Sequence, residues 1–223
     1  MTTTNHTNRP TPRRTTRIST LIAGILSAVC ICAGLGLLAY SPTEPPPPSA
    51  VEDLHGNPVR IDGGELPPAP VIEEMNVQHV AGARVTVPKA GMSVSLSELS
   101  AVDGQITPPG FTEIYHVRNM GVRVDDAPHG TVYIVAHSVT NGFAPGNAVM
   151  DSRRGESILQ TGDTIDVDGV AYNTDESFFV PKDELPYRGD VWENVPGRLV
   201  FITCLERDGV ATGDNLIITA TMA

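Results

Sequence analysis

Apolar and polar positions divide this chain into three stretches with different periods. From Ile18 to Thr43 there is no charged residue, and Leu21 to Tyr40 is predominantly apolar. That length suffices, at ~1.5 Å per residue, to cross a ~30 Å hydrocarbon core, so a transmembrane helix is predicted over 18–40. Residues 41–78 have little apolar periodicity: Pro45 to Pro48 run uninterrupted, and Pro58, Gly63, Gly64, Pro67, Pro68 and Pro70 follow. Consecutive prolines cannot be helical and favour extended polyproline II, so this stretch reads as a low-order stalk. From 79 to 223 short β-prone runs alternate with Gly, Pro, Asp and Asn. Ala83 to Pro88 has period two, Thr131 to Ala136 is a continuous apolar run suited to a buried strand, and further strands are expected at Thr164–Val170, Ser177–Val180, Leu199–Cys204 and Leu216–Thr221. Short helices are expected only at Ser157–Thr161 and Ser97–Ser100. Many short strands with turn signals predict an all-β domain, a closed barrel or a sandwich.

Charge orients the apolar segment. Arg9, Arg13, Arg14 and Arg17 precede it with no acidic residue among them, so residues 1–17 read as a basic tail on the cytoplasmic side, with the domain outside. A cleaved signal peptide is the alternative, since Ala39 and Ser41 are spaced like a processing site, but Pro42 would hinder that cut. Cys30 is preceded by Val29 and does not resemble a lipoprotein site. Beyond position 40 the chain carries 11 basic against 26 acidic residues, a net charge of −15, which disfavours nucleic-acid binding. Asp125-Asp126 and Asp163-x-x-Asp166-x-Asp168 could hold calcium, but they lack a recognised loop spacing and suit turns equally.

Cys204 is the only cysteine beyond the predicted anchor. A lone thiol cannot close an intrachain disulfide, so it is buried, paired between chains, or reactive. It ends the run Arg198 to Cys204, just as His137 ends the run Thr131 to Ala136 and opens a polar loop. An imidazole can serve as base to a thiol or stabilise its thiolate, which makes this pair the candidate chemistry. The bland alternative is a packed Cys beside a His satisfied at a strand end.

These residues also resemble a family. Val200-Phe201-Ile202-Thr203-Cys204 is similar to the T-L-x-T-C signature of sortases, with Val200 for the first threonine and Phe201 for the leucine. Gly130 to His137 resembles the sortase strand that delivers the catalytic histidine, Leu159 to Ile165 the helix and Gly-Asp turn between them, and Arg84 to Met92 the opening strand. The resemblance covers about Arg84 to Thr221 in order, and looks nearest to the actinobacterial-type classes E and F. It implies a closed sortase-like β-barrel over 79–223, held to the membrane by residues 18–40.

The implied activity is that of a cysteine transpeptidase reading a Leu-Pro-x-Thr-Gly-like sorting signal on a secreted protein. Cys204 would form a thioacyl-enzyme, His137 would protonate the leaving amine, and an amine of the cell wall or a pilin would accept the acyl group. Sortases place an arginine at the start of the strand after the cysteine. Here that strand starts Asp214-Asn215-Leu216, so the resemblance assigns the role to Arg207, with Asn215 as a neutral alternative. No cofactor or metal is expected, and His116, His129 and His137 are not at a metal-ligand spacing. The reading from another class is a tethered β domain that binds a wall polymer or partner protein without catalysis. A peptidoglycan L,D-transpeptidase is a poorer fit, because Cys204 lacks the His-Gly-Cys cluster of that group.

Overall fold

Alternation along the strands sorts nearly every apolar side chain onto one of two faces. In the computed structural model, which describes residues 51–59 and 67–223, ten strands form: β1 (Gln78–Val87), β2 (Met92–Leu99), β3 (Ile114–Val117), β4 (Thr131–Ala136), β5 (Met150–Asp151), β6 (Glu156–Ser157), β7 (Thr164–Val167), β8 (Val170–Pro181), β9 (Arg198–Arg207) and β10 (Val210–Met222). Eight of them hydrogen-bond in the order β1-β2-β3-β4-β9-β10-β8-β7, and β7 returns to β1 through Val85↔Val167, which closes the barrel. β5 and β6 form a separate two-stranded hairpin. Most pairings are antiparallel, but β2 runs parallel to β3 and β4 parallel to β9.

Val85, Val94, Leu96, Ile114, Val132, Ile134, Ile165, Tyr172, Leu199, Phe201, Leu216 and Ile218 share one cluster drawn from all eight barrel strands, which is the barrel interior. The neighbours in between, Tyr115, Tyr133, Val135, Val180, Val200, Ile202 and Ile217, form a second cluster on the outside of one wall. That wall is covered by α1 (Ala69–Met75) and by the segment that includes α3 (Gly189–Trp192), contributing Met75, Val191 and Trp192. A third short helix, α2 (Pro145–Ala148), follows the loop after β4.

Several expectations need correction. Ser97 to Leu99 belongs to β2, because Met92-Ser93-Val94-Ser95-Leu96 already sets a period of two. Ser157–Thr161 is the end of β6 and a turn, with no helix. The stretch 41–78 does not behave as a uniform stalk. Pro70 lies in the first turn of α1, where its missing N–H costs no helix bond; Met75 is 2% exposed and its carbonyl accepts from Ser100 N–H at 2.8 Å. Residues 51–59 also pack on the domain, so the folded unit takes in parts of what reads as stalk. The predicted tail and anchor, 1–17 and 18–40, lie outside the described residues; among those described, no helix is long and apolar enough to cross a membrane.

Candidate active site

Register places the candidate residues. β4 and β9 pair in parallel up to Ala136↔Thr203, so one further step sets His137 level with Cys204. On the other side of β9, Cys204 pairs directly with Asn215 of β10, and Asn215 with Val180 of β8. Parity puts His137, Cys204 and Asn215 on the face of Val135, Ile202 and Ile217, outside the barrel interior and at the end of the wall. Cys204 is half-buried and Asn215 is 8% exposed.

The His137 end of this row is held from several sides. Ser138 Oγ donates to the Cys204 carbonyl at 2.8 Å, which ties the end of β4 to β9. Gly146, in α2, donates its N–H to the His137 carbonyl at 2.8 Å. It approaches so closely that a Cβ there would lie 2.0 Å from Thr203 Oγ1. Asn147 Oδ1 accepts from the backbone of both Val139 and Ala144 at 2.9 Å, closing the intervening loop. Asp53, 3% exposed, accepts from Phe143 N–H at 2.9 Å, and His55 stacks on the Phe143 ring at 4.6 Å. Burial pushes the Asp53 carboxyl up, but hydrogen bonds from the Asn57, Phe143 and His55 backbone and the Asn57 side chain outweigh it and hold the group at about 2. An open cleft of about 560 Å³ lies between this segment, Glu206 and Gly209; neither Cys204 nor His137 lines it.

The imidazole itself is oriented by the loop before β3. His137 Nε2 lies 2.7 Å from the Pro108 carbonyl, and the ring stacks on Phe111 with centroids 4.4 Å apart. A carbonyl can only accept, so Nε2 carries the proton and, in the neutral ring, Nδ1 is left as the base. Burial lowers the His137 pKa, the Pro108 carbonyl opposes the shift, and the Lys182 ammonium lowers it further. The ring is therefore held neutral, and no hydrogen bond joins it to Cys204. Lys182 follows β8, and its N–H donates to the Gly213 carbonyl at 2.9 Å.

Arg207 is not brought to this row. It is three residues beyond Cys204, on the opposite parity, and its side chain lies over Gly155 of the β5–β6 hairpin, where a Cβ would meet its Nε at 2.7 Å. Asn215 takes the place beside the thiol. The three other candidate features are dispersed. His116 is inside the barrel, 0% exposed, and His129 pairs with Asp126 on the surface at 2.6 Å. Asp125 pairs with Arg123, while Asp163 and Asp166 accept from the Gln160 and Gly169 backbone as turn caps. Among the described residues no group of His, Cys, Asp and Glu is arranged to hold a metal ion. Pro108, Phe111, Ser138 and Lys182 had no signal in the sequence beyond Thr107-Pro108-Pro109-Gly110 marking a loop.

No family model matches the chain, and no curated protein matches it. Solved structures to which it is similar are sortases. The Clostridium perfringens sortase D5 transpeptidase is 20% identical over 63% of this chain and 78% of that one, with a TM-score of 0.44. A lid mutant of sortase A from Corynebacterium diphtheriae is 13% identical over 72% and 82%, TM-score 0.48. A pilus-related sortase C of Group B Streptococcus is 16% identical over 78% and 80%, TM-score 0.46.

Proposed function

We propose that this chain is a sortase-type cysteine transpeptidase, nearest in its motifs to classes E and F, anchored by residues 18–40 with its barrel outside the cell. The observation that carries the reading is the row His137, Cys204, Asn215 at the end of one wall. It sets a neutral imidazole with Nδ1 unprotonated, a half-buried thiol and an amide donor on three adjacent strands. In this mechanism the Cys204 proton passes to His137 and the sulfur attacks the threonine carbonyl of a Leu-Pro-x-Thr-Gly-like signal. The carbonyl oxygen takes the developing charge beside Asn215 Nδ2. The C–N bond then breaks, His137 returns its proton to the departing glycine amine, and a thioester remains on Cys204. An amine of the cell wall or a pilin attacks that thioester, gives up its proton, and releases the thiol with a new amide bond. No cofactor enters this sequence.

The test is incubation of the chain with a panel of Leu-Pro-x-Thr-Gly-like peptides, with mass analysis for an acyl adduct on Cys204. Cys204→Ala should abolish turnover, and His137→Ala should fall nearly as far. The double variant should be little worse than either, because residues acting as a unit are non-additive. Turnover near wild type in Cys204→Ala excludes the mechanism. A thiol that resists alkylation, with no peptide cleaved, favours the non-catalytic binding domain instead.

A further inference from the structure

A buried polar chain leads from the surface to the loop that orients His137. His79 Nδ1 lies 3.0 Å from Ser97 Oγ and 3.3 Å from Glu113 Oε2. Ser97, 1% exposed, donates to the same Glu113 oxygen at 2.7 Å. The Glu113 carboxylate in turn faces the Tyr115 hydroxyl, which lies directly against the Gly110 backbone. Burial, followed by the Glu113 charge, pushes the Tyr115 pKa far up, so the phenol stays protonated and donates. The contact with Gly110 is tight: a Cβ there would come 2.7 Å from the hydroxyl.

This contact matters because the loop has little else to fix it at that point. Pro108 and Pro109 have no N–H, and residues 107–112 make no backbone-to-backbone hydrogen bond among the described residues. Phe111 is seated against Val139 and Ala144, which leaves the Pro108–Gly110 part to Tyr115. The same three-residue span presents the carbonyl that holds His137 Nε2.

We propose that Tyr115, held by Glu113, is a positioning residue for His137: by fixing Gly110 it fixes the Pro108 carbonyl, and through it the tautomer and plane of the imidazole. The proposal rests on His137 being the base of the reaction above, and it assigns a role to two residues that touch neither thiol nor substrate. Ring placement is where such control pays, since a shift of about 1 Å at a reacting group can cost on the order of 10²-fold in rate.

The experiment uses the full-length chain with ¹⁵N-labelled histidine, the peptide assay above, and the variants Tyr115→Phe, Gly110→Ala and their combination. Tyr115→Phe keeps the buried ring and removes the hydroxyl. It should turn the His137 ¹⁵N pattern from a single Nε2–H tautomer into a mixture, and lower kcat about 10- to 100-fold with KM little changed. Gly110→Ala should do the same in the wild-type background by displacing the hydroxyl. In the Tyr115→Phe background it should add almost nothing, because the atom it would strike is gone. Glu113→Gln, which retains an acceptor for the hydroxyl, should preserve the tautomer. An unchanged ¹⁵N pattern in Tyr115→Phe, or strictly additive effects of the two substitutions, overturns the proposal. If instead His137→Ala keeps full turnover, the assignment of His137 fails, whereas the tautomer signal still reports whether Tyr115 sets the ring.

Discussion

A strand residue three positions beyond Cys204 points away from it, whereas its cross-strand partner stands beside it on the same face. On the proposed mechanism this favours Asn215 over Arg207 as the donor beside the thiol. Asn215 pairs with Cys204, and Arg207 lies over Gly155. Asn215→Ala is therefore expected to lower kcat by about 10²–10³, the usual cost of one oxyanion donor, and Arg207→Ala to stay within a few-fold of wild type. Steady-state kinetics on the two variants checks this, and the reverse order would return the role to the arginine. The placement of Cys204 and His137 at the ends of strand-forming apolar runs was legible in the sequence, because it is a local property. Which of Arg207 and Asn215 stands beside Cys204 was not, because it depends on how β9 and β10 align, and that register includes a bulge between Ala211 and Asn215. Pro108 was hidden for the same reason: its partner is 29 positions away.

Among the elements, β3 shows how a short strand escapes a periodicity argument and then sets a pH dependence. Its four residues Ile114-Tyr115-His116-Val117 are all buried, so no alternation marks it. By contrast, β4, most of β9 and the second half of β10 could be read from their apolar runs, and β7 from its alternation, because each fills a barrel wall. His116 points to the interior, where Nε2 is 3.0 Å from the Val122 carbonyl and Nδ1 is 3.7 Å from Glu98 Oε1. Burial lowers its pKa; the Val122 carbonyl and Glu98 oppose the shift, and Arg123 adds to it. The native state thus resists a proton that the unfolded chain binds near 6.5. Stability from this group is present above that value and is lost as pH falls from it toward the lower native pKa. Denaturant melts between pH 7 and 5 should show this slope, which His137 shares, and His116→Gln should reduce it. A slope unchanged in His116→Gln would mean that the buried ring takes up its proton at the same pH as in the unfolded chain.

For the whole molecule, the boundary of the folded unit matters more than its length. Residues 51–59 brace the loop after His137, and α1 caps the outer wall through Met75. A chain lacking 1–50 should melt near the full-length value. One lacking 1–78 loses both supports; removing a buried Met-sized side chain alone costs about 2–5 kcal/mol, so its Tm should fall by roughly 5 °C or more. Thermal melts of the two truncations, with peptide turnover, test this, and equal Tm values would show that these segments add nothing. The parallel pairing of β4 with β9 carries a different consequence. Two parallel neighbours cannot be joined by a hairpin, so the whole stretch from Ser138 to Gly197 must be threaded and packed before His137 meets Cys204. Such long-range closure comes late in folding. On the mechanism proposed above, a newly made or partly folded chain therefore carries an ordinary, unassisted cysteine, and the power to cut and join other proteins would be switched on only by completion of the fold.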